Sequence, residues 1–325
     1  MKRLINFKNF RVLILLGMCA LLAVLNENFF TVSNLMNILR QTSVLAILSF
    51  GMTFVILTGG IDLSIAGIMS LAGCVCAILL NRKAPVPVAI LEALLVGAAL
   101  GGLNGLFVAF VDLPPFVATY GVKFIADGLA LILMGGSILY GFPASFKALG
   151  VGFAAGIPML VILSVAAALI FYVVLSKLKF GKQVYCVGAN PVASFYSGIR
   201  PKRILVAVYV ICGICAGVAG ILQTARMNAA QAGMGDSFQM LAITSVVIGG
   251  TSMAGGEGGI PGTIVGALIL TLIVNGMNLL GIPSLAQSLI TGLVIILAVM
   301  LDVQMKKVKV AASGSPRGGR TAAKA

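Results

Sequence analysis

The residues of this chain that could handle a polar solute sit inside apolar runs. Asp62 and Ser64 follow the pair Gly59-Gly60 in a mostly apolar stretch. A carboxylate and a hydroxyl placed there either cap the start of a helix or sit at the mouth of an aqueous path. Lys123 and Asp127 lie four residues apart, so they share a helical face and neutralise each other, since a lone charge at such a depth is far costlier. Asn104, Asn275, Asn278 and Gln287 are neutral donors and acceptors. They suit the hydroxyl groups of a solute, or hydrogen bonds between helices. Catalysis finds no support. The chain has no histidine, which removes the commonest general base and metal ligand, so neither a catalytic residue nor a metal site is expected. No Gly-x-x-x-x-Gly-Lys-Ser/Thr occurs; Gly181-Lys182 is followed by Gln183 and lacks the earlier glycine. The chain is not expected to hydrolyse ATP.

A second set of residues lies in the one long polar stretch between apolar runs. Residues 177–203 read KLKFGKQVYCVGANPVASFYSGIRPKR, with six Lys/Arg and no Asp or Glu. Asn190 is a good N-cap, Pro191 suits the first helical position, and Gly198 can take the left-handed stop. The spacing predicts a helix of under two turns, VASFYS, beginning at Val192 and Ala193. Val192, Phe195 and Tyr196 fall at i, i+3 and i+4 and share one face. An apolar face on a short helix in water wants a groove in a partner, or else the membrane surface. Gly181 and Gly188 are expected to add turns before it.

These residues must be positioned by apolar helices. The chain is 60% hydrophobic and 9% charged, with mean hydropathy +1.14, where soluble domains carry roughly 25% charged residues. The pattern predicts an all-α polytopic membrane protein. Apolar runs fall at about 11–26, 42–58, 63–80, 88–111, 115–134, 157–176, 204–224, 238–254, 260–280 and 284–302. They give about ten transmembrane helices, with 42–58 and 238–254 short for a span of about 20 residues. The first run lacks a small-residue cleavage site and is expected to be retained.

The net charge of +14 does not call for nucleic acid. Sixteen of the 22 Lys/Arg lie in residues 1–11, 177–203 and 303–325, outside the runs. Ten crossings put all three segments on the cytoplasmic side, as the positive-inside rule requires. The facing loops hold only Arg40, Arg82, Lys83, Lys147 and Arg226. Residues 1–302 therefore read as one transmembrane domain, and 303–325 as a basic, disordered cytoplasmic tail that favours anionic lipid.

Of the six cysteines, Cys19, Cys74, Cys76, Cys212 and Cys215 lie in apolar runs and Cys186 in the basic loop. They read as small packing residues kept reduced, Cys212-x-x-Cys215 included. Glycines recur at spacings of four, as in Gly97/Gly101/Gly105, Gly213/Gly217 and Gly258/Gly262/Gly266, where small residues let helix backbones approach in lipid. A faint internal echo joins Leu45-Ala46-Ile47-x-Ser49, leading to Gly59-Gly60, with Leu241-Ala242-Ile243-x-Ser245, leading to Gly249-Gly250. Asn104-Gly105 and Asn275-Gly276 form a second pair, but in opposite orientations.

The segment FGKQVYCVGANPVASFYSGIR resembles the cytoplasmic coupling segment of ribose-type ABC transporter permeases. TGGIDLSIAGIMSLAG at 58–73, GLNGLFVAFVDLPPFVATYG at 102–121, IGGTSMAGGEGGIPGTIVGALI at 248–269 and NGMNLLG at 275–281 resemble that family's other motifs, in order. The resemblance implies a permease subunit of the bacterial inner membrane that works as a dimer with a second copy. It implies import of a monosaccharide, an extracytoplasmic sugar-binding protein, and a cytoplasmic ATPase that binds ATP-Mg in place of any cofactor here. Gly181, Asn190, Pro191, Val192, Ala193, Phe195, Tyr196 and Gly198 would then form the ATPase contact, and Asp62, Ser64, Asn104, Asn275, Asn278 and Gln287 the candidate path. The chain departs from the family pattern at Val192 and Ser194, where charged residues are usual, at Asp127 and Glu257, where Arg is common, and at Gln239, where Glu is common. These departures bear on which ATPase and which sugar it serves. A self-contained ion-coupled transporter is the competing reading; it would need Asp62 or Asp127 to bind an ion, and would have no use for a capped apolar helix in the cytoplasm.

Overall fold

The computed structural model describes residues 7–283 and, beyond them, 285–287, 289–293, 296 and 300. The predicted tail at 303–325 and much of the last apolar run lie outside the described residues. Helices dominate: α1 (Phe7–Leu25), α2 (Val32–Leu57), α3 (Ile65–Asn81), α4 (Val86–Ala109), α5 (Pro115–Met134), α6 (Ala144–Val151), α7 (Met159–Lys177), α8 (Lys179–Ala189), α9 (Pro191–Tyr196), α10 (Pro201–Met227), α11 (Asp236–Ile248) and α12 (Ile260–Leu279). Four two-residue strands pair as β1 (Leu139–Tyr140) with β4 (Ala229–Ala230) and β2 (Phe153–Ala154) with β3 (Ile157–Pro158), both antiparallel. Among the described residues six helices, α2, α4, α5, α7, α10 and α12, are long and apolar enough to cross a membrane. The protein is an all-α polytopic membrane protein.

Helices α2 and α10 form the centre. α2 is buried along nearly all of its length from Thr42 to Leu57, and α10 packs on α2, α3 and α4. Glycines make the α4–α10 crossing possible. A Cβ at Gly97 would overlap the Gly213 carbonyl, one at Gly101 the Tyr209 carbonyl, and one at Gly105 would fall 2.7 Å from the Val206 Cα. Such backbone approach is the usual basis of helix association in lipid. Cys212 and Cys215 serve a similar end, since both press on Gly51 of α2.

Most predicted runs coincide with helices, and 115–134 matches α5 residue for residue. Three expectations are corrected. The run at 42–58 is the buried end of a longer helix: Thr31 caps α2 by accepting from the Asn34 amide, and the polar turns through Gln41 hid its start. The run at 238–254 is not one span, because α11 stops at Ile248 and the glycine-rich residues 249–259 follow as a loop. Gly181 and Gly188 do not make turns; both lie inside α8. Their role is close approach. A Cβ at Gly181 would overlap the Val174 and Leu175 carbonyls of α7, and one at Gly188 the Leu57 carbonyl of α2.

Candidate functional site

Helix α9 forms as its sequence predicts. Asn190 stands in extended backbone, and its side chain accepts from the Ala193 amide at 2.9 Å. At the other end Gly198 takes φ +81°. Its amide donates to the Phe195 carbonyl, and the Ile199 amide to the Ser194 carbonyl, each at 3.0 Å. This Schellman-type stop satisfies carbonyls that would otherwise face outward. Ser194 turns inward, whereas Val192, Phe195 and Tyr196 are 66%, 64% and 83% exposed. An apolar face left that open on a rigid short helix is unusual unless something covers it. Beside it lies a hollow of about 500 Å³ whose wall includes Phe110 and whose rim carries Arg200 and Lys202.

Helix α8 connects this face to the bundle. Gly188 lies against Leu57, the last residue of α2. The Gly256 amide donates to the Leu57 carbonyl at 2.9 Å. Tyr185 donates its hydroxyl to the Gly258 carbonyl at 2.9 Å, and partial burial raises the pKa of that hydroxyl above its ordinary value, so it stays a donor. The end of α2 and the loop before α12 thus meet on α8. Sequence reasoning missed Tyr185 and Leu57; a tyrosine among basic residues carries no signal of a partner 73 positions away.

The six path candidates fall into two groups. Near the α8 end, Asp62, Ser64 and Asn104 come together and are fully buried. Asp62 Oδ1 accepts from the Ser64 amide at 2.8 Å and from its hydroxyl at 2.6 Å, and Asn104 Nδ2 donates to Ser64 Oγ at 2.7 Å. Thr119 of α5 receives the Leu63 amide at 3.0 Å. Asp62 therefore organises the entry to α3, while Ser64 makes no cap of its own. Among the described residues, Asn104 Oδ1 and the Tyr209 hydroxyl have no hydrogen-bond partner.

Toward the opposite end, Asn275 makes a reciprocal amide pair with Asn34, at 2.7 and 3.2 Å. That pair ties α12 to α2. Asn278 is exposed and accepts from Gln287 at 2.9 Å. Lys123 bonds Asp127 at 2.6 Å, as its spacing predicts, and also Asp236 at the start of α11, at 3.0 Å. The second acid brings α11 to α5 and could not be read from local spacing. Among the described residues no three metal-ligating side chains come together.

Comparisons with known proteins agree with this architecture. Residues 34–299 match the family model described as branched-chain amino acid transport system / permease component. The ribose import permease protein of Escherichia coli (strain K12) is 40% identical over 292 residues, covering 89% of this chain and 91% of that one. The D-allose transport system permease protein of the same strain is 39% identical over 282 residues, 86% of each chain. The galactose/methyl galactoside import permease protein of Haemophilus influenzae (strain ATCC 51907 / DSM 11121 / KW20 / Rd) is 35% identical over 312 residues, 90% of this chain and 92% of that one. No solved structure matches. With six long apolar helices and a match running through almost all of them, the chain belongs to this family of transport-system permease components, as a multi-pass protein of the bacterial inner membrane.

Proposed function

We propose that the chain is the permease subunit of an ATP-driven ABC importer for a monosaccharide, ribose or a related pentose or hexose. Two copies form the path, a cytoplasmic ATPase seats on α9, and an extracytoplasmic sugar-binding protein delivers solute at the opposite end. ATP-Mg is held by the ATPase. Both chain ends lie in the cytoplasm after about ten crossings. Relatives named for ribose, allose and galactose import support the substrate class. The observation that carries the mechanism is the open apolar face of α9, rigidly capped and joined through α8 to the end of α2 and the loop before α12.

The mechanics follow from the packing. Force on Phe195 and Tyr196 moves α8, because Asn190 is shared between the end of α8 and the cap of α9. α8 has no slack against α2, since Gly188 touches the Leu57 carbonyl. Tyr185 and Gly256 pass the same displacement to the loop before α12. The polar group of Asp62, Ser64 and Asn104 begins five residues beyond Leu57, so a shift of the α2 end alters the inner mouth. An ion-coupled transporter would leave α9 without a purpose.

Reconstitution with the cognate ATPase and binding protein should give ATP-dependent uptake. Uptake by the chain alone under an ion gradient would sink the reading. Phe195→Asp should abolish capture of the ATPase while leaving the folded chain intact; unchanged capture would place the α9 face on the membrane surface instead.

A further inference from the structure

At the end of the bundle away from α8 and α9, Arg226 bonds Asn37, one turn of α2 before Arg40, and among the described residues no acid pairs with either arginine. Asn37, Arg40 and Gln41 occupy one face of the outer turns of α2, and Gln223 and Arg226 the last turns of α10. Arg226 Nη2 and Gln41 Nε2 both donate to Asn37 Oδ1 at 3.3 Å. Arg40 reaches the Val151 carbonyl at the end of α6 only at 3.5 Å, and its guanidinium lies 4.9 Å from the centre of the Phe153 ring. Both arginines meet the end of α6, where Gly150 packs on the Arg226 backbone and Arg40 points at Val151. Among the described residues neither has a carboxylate within salt-bridge distance. Arg40 Nε and Gln223 Oε1 are buried with no partner among the described residues.

This arrangement is unsatisfied in both charge and hydrogen bonding. Two guanidinium forks carry roughly ten N–H donors, and they make only long bonds here. The Phe153 ring and the end of α6 flank the Arg40 fork on one side. A planar oxyanion matches such forks two bonds at a time. It would place negative charge against two half-buried positive ones.

We propose that Arg40 and Arg226 form a carboxylate-binding site at the outer end of the α2–α10 seam. The carboxylate comes either from an acidic monosaccharide, a uronate or aldonate, or from an acidic side chain of the binding protein. The second source rests on the importer reading; the first does not.

The test uses the full chain in lipid nanodiscs. Glucuronate and glucose, at equal concentration and ionic strength, serve as probes differing in a single carboxylate. A solute site predicts that glucuronate raises the unfolding midpoint and glucose does not. The shift is lost in Arg40→Gln and in Arg226→Gln, and Arg40→Lys restores it only in part because the fork is gone. A protein source predicts no glucuronate shift. Capture of the binding protein by the permease–ATPase complex then weakens with salt and falls at least tenfold in Arg226→Gln. The wild-type comparison of the two probes needs no variant to fold. If glucuronate has no effect and capture is the same in wild type and both variants, the site is overturned. ATP-driven uptake by the wild-type complex is scored separately: its presence with a failed site keeps the importer reading, and its absence with a glucuronate shift keeps the site alone.

Discussion

Two glycine turns end two central helices at the same side of the bundle, and they are bonded almost identically. At the end of α2 the Gly59 amide donates to the Ile56 carbonyl at 2.9 Å and the Gly60 amide to the Val55 carbonyl at 3.1 Å. At the end of α11 the Gly250 amide donates to the Val247 carbonyl at 2.8 Å and the Thr251 amide to the Val246 carbonyl at 3.1 Å. Gly59 has φ +78° and Gly250 φ +84°. The two stretches then diverge. After Gly59 the chain dives inward, and Asp62 and Thr119 satisfy its buried amides. After Gly250 it stays at the end of the bundle as a glycine loop, where Leu57 and Tyr185 hold it to α8. In the proposed mechanism one turn feeds the inner mouth and the other a handle. A shared local motif thus sets where a helix stops, while the partners of the next ten residues decide what that end is held to.

The handle can be broken most severely at its contact with α8. Gly188→Val would drive a side chain into the Leu57 carbonyl and Gly256. Overpacking of this kind costs about 1–3 kcal/mol, and the backbone here has little room to yield. ATP-dependent uptake should fall by more than tenfold, with α9 still able to capture the ATPase; near-normal uptake would mean that α8 does not transmit motion to α2.

The two turns should answer differently to the same substitution. Alanine in the left-handed region costs about 1–2 kcal/mol at either place. Gly250→Ala also displaces the Arg11 guanidinium from the Gly249 carbonyl that it bonds, whereas a Cβ at Gly59 finds its nearest neighbour, the Ala254 carbonyl, 3.7 Å away. Thermal unfolding of the two variants should place Gly250→Ala clearly below Gly59→Ala. Equal midpoints would erase the distinction between handle and mouth.

Tyr185→Phe is the mildest. It removes one hydroxyl bond to Gly258, worth about 1 kcal/mol. Stability should drop slightly, while ATP hydrolysis by the assembled complex becomes less dependent on the solute-loaded binding protein. Hydrolysis as tightly dependent as in wild type would show that Gly256 and Leu57 suffice to hold the loop.

Much of this was legible in the sequence where chemistry is local. Apolar length located α5 to the residue, and Asn190, Pro191 and Gly198 gave α9 both its ends. Lys123 and Asp127 were readable from their spacing. What escaped depends on distant partners. α8 carries two glycines and three charges or polar groups among its turns, so it looked like loop; it is helical because Gly181 and Gly188 let it lie on α7 and α2. The outer turns of α2, with Asn34, Asn37, Arg40 and Gln41, fall below any hydropathy criterion, yet Thr31 caps them and α10 and α12 supply their bonds. Asp236 joins Lys123 only because the chain returns into the bundle before α11. The echo between the two glycine turns was visible, but the hydrogen bonds pair Gly59 with Gly250, a register that repeated letters alone did not fix.

The amide pair between Asn34 and Asn275 has a consequence for how the protein is made. Its two halves are 241 residues apart. Asn26 likewise donates to the Leu279 carbonyl, 253 residues away, and Arg11 bonds the Gly249 carbonyl. Ribosomes add roughly 5–20 residues per second, so the first two helices wait on the order of 10–50 s for these partners. Through that interval a buried amide of α2 must be shielded by the insertion machinery or by lipid headgroups. The contact of α2 with α12 therefore forms only after most of the described bundle has been synthesised.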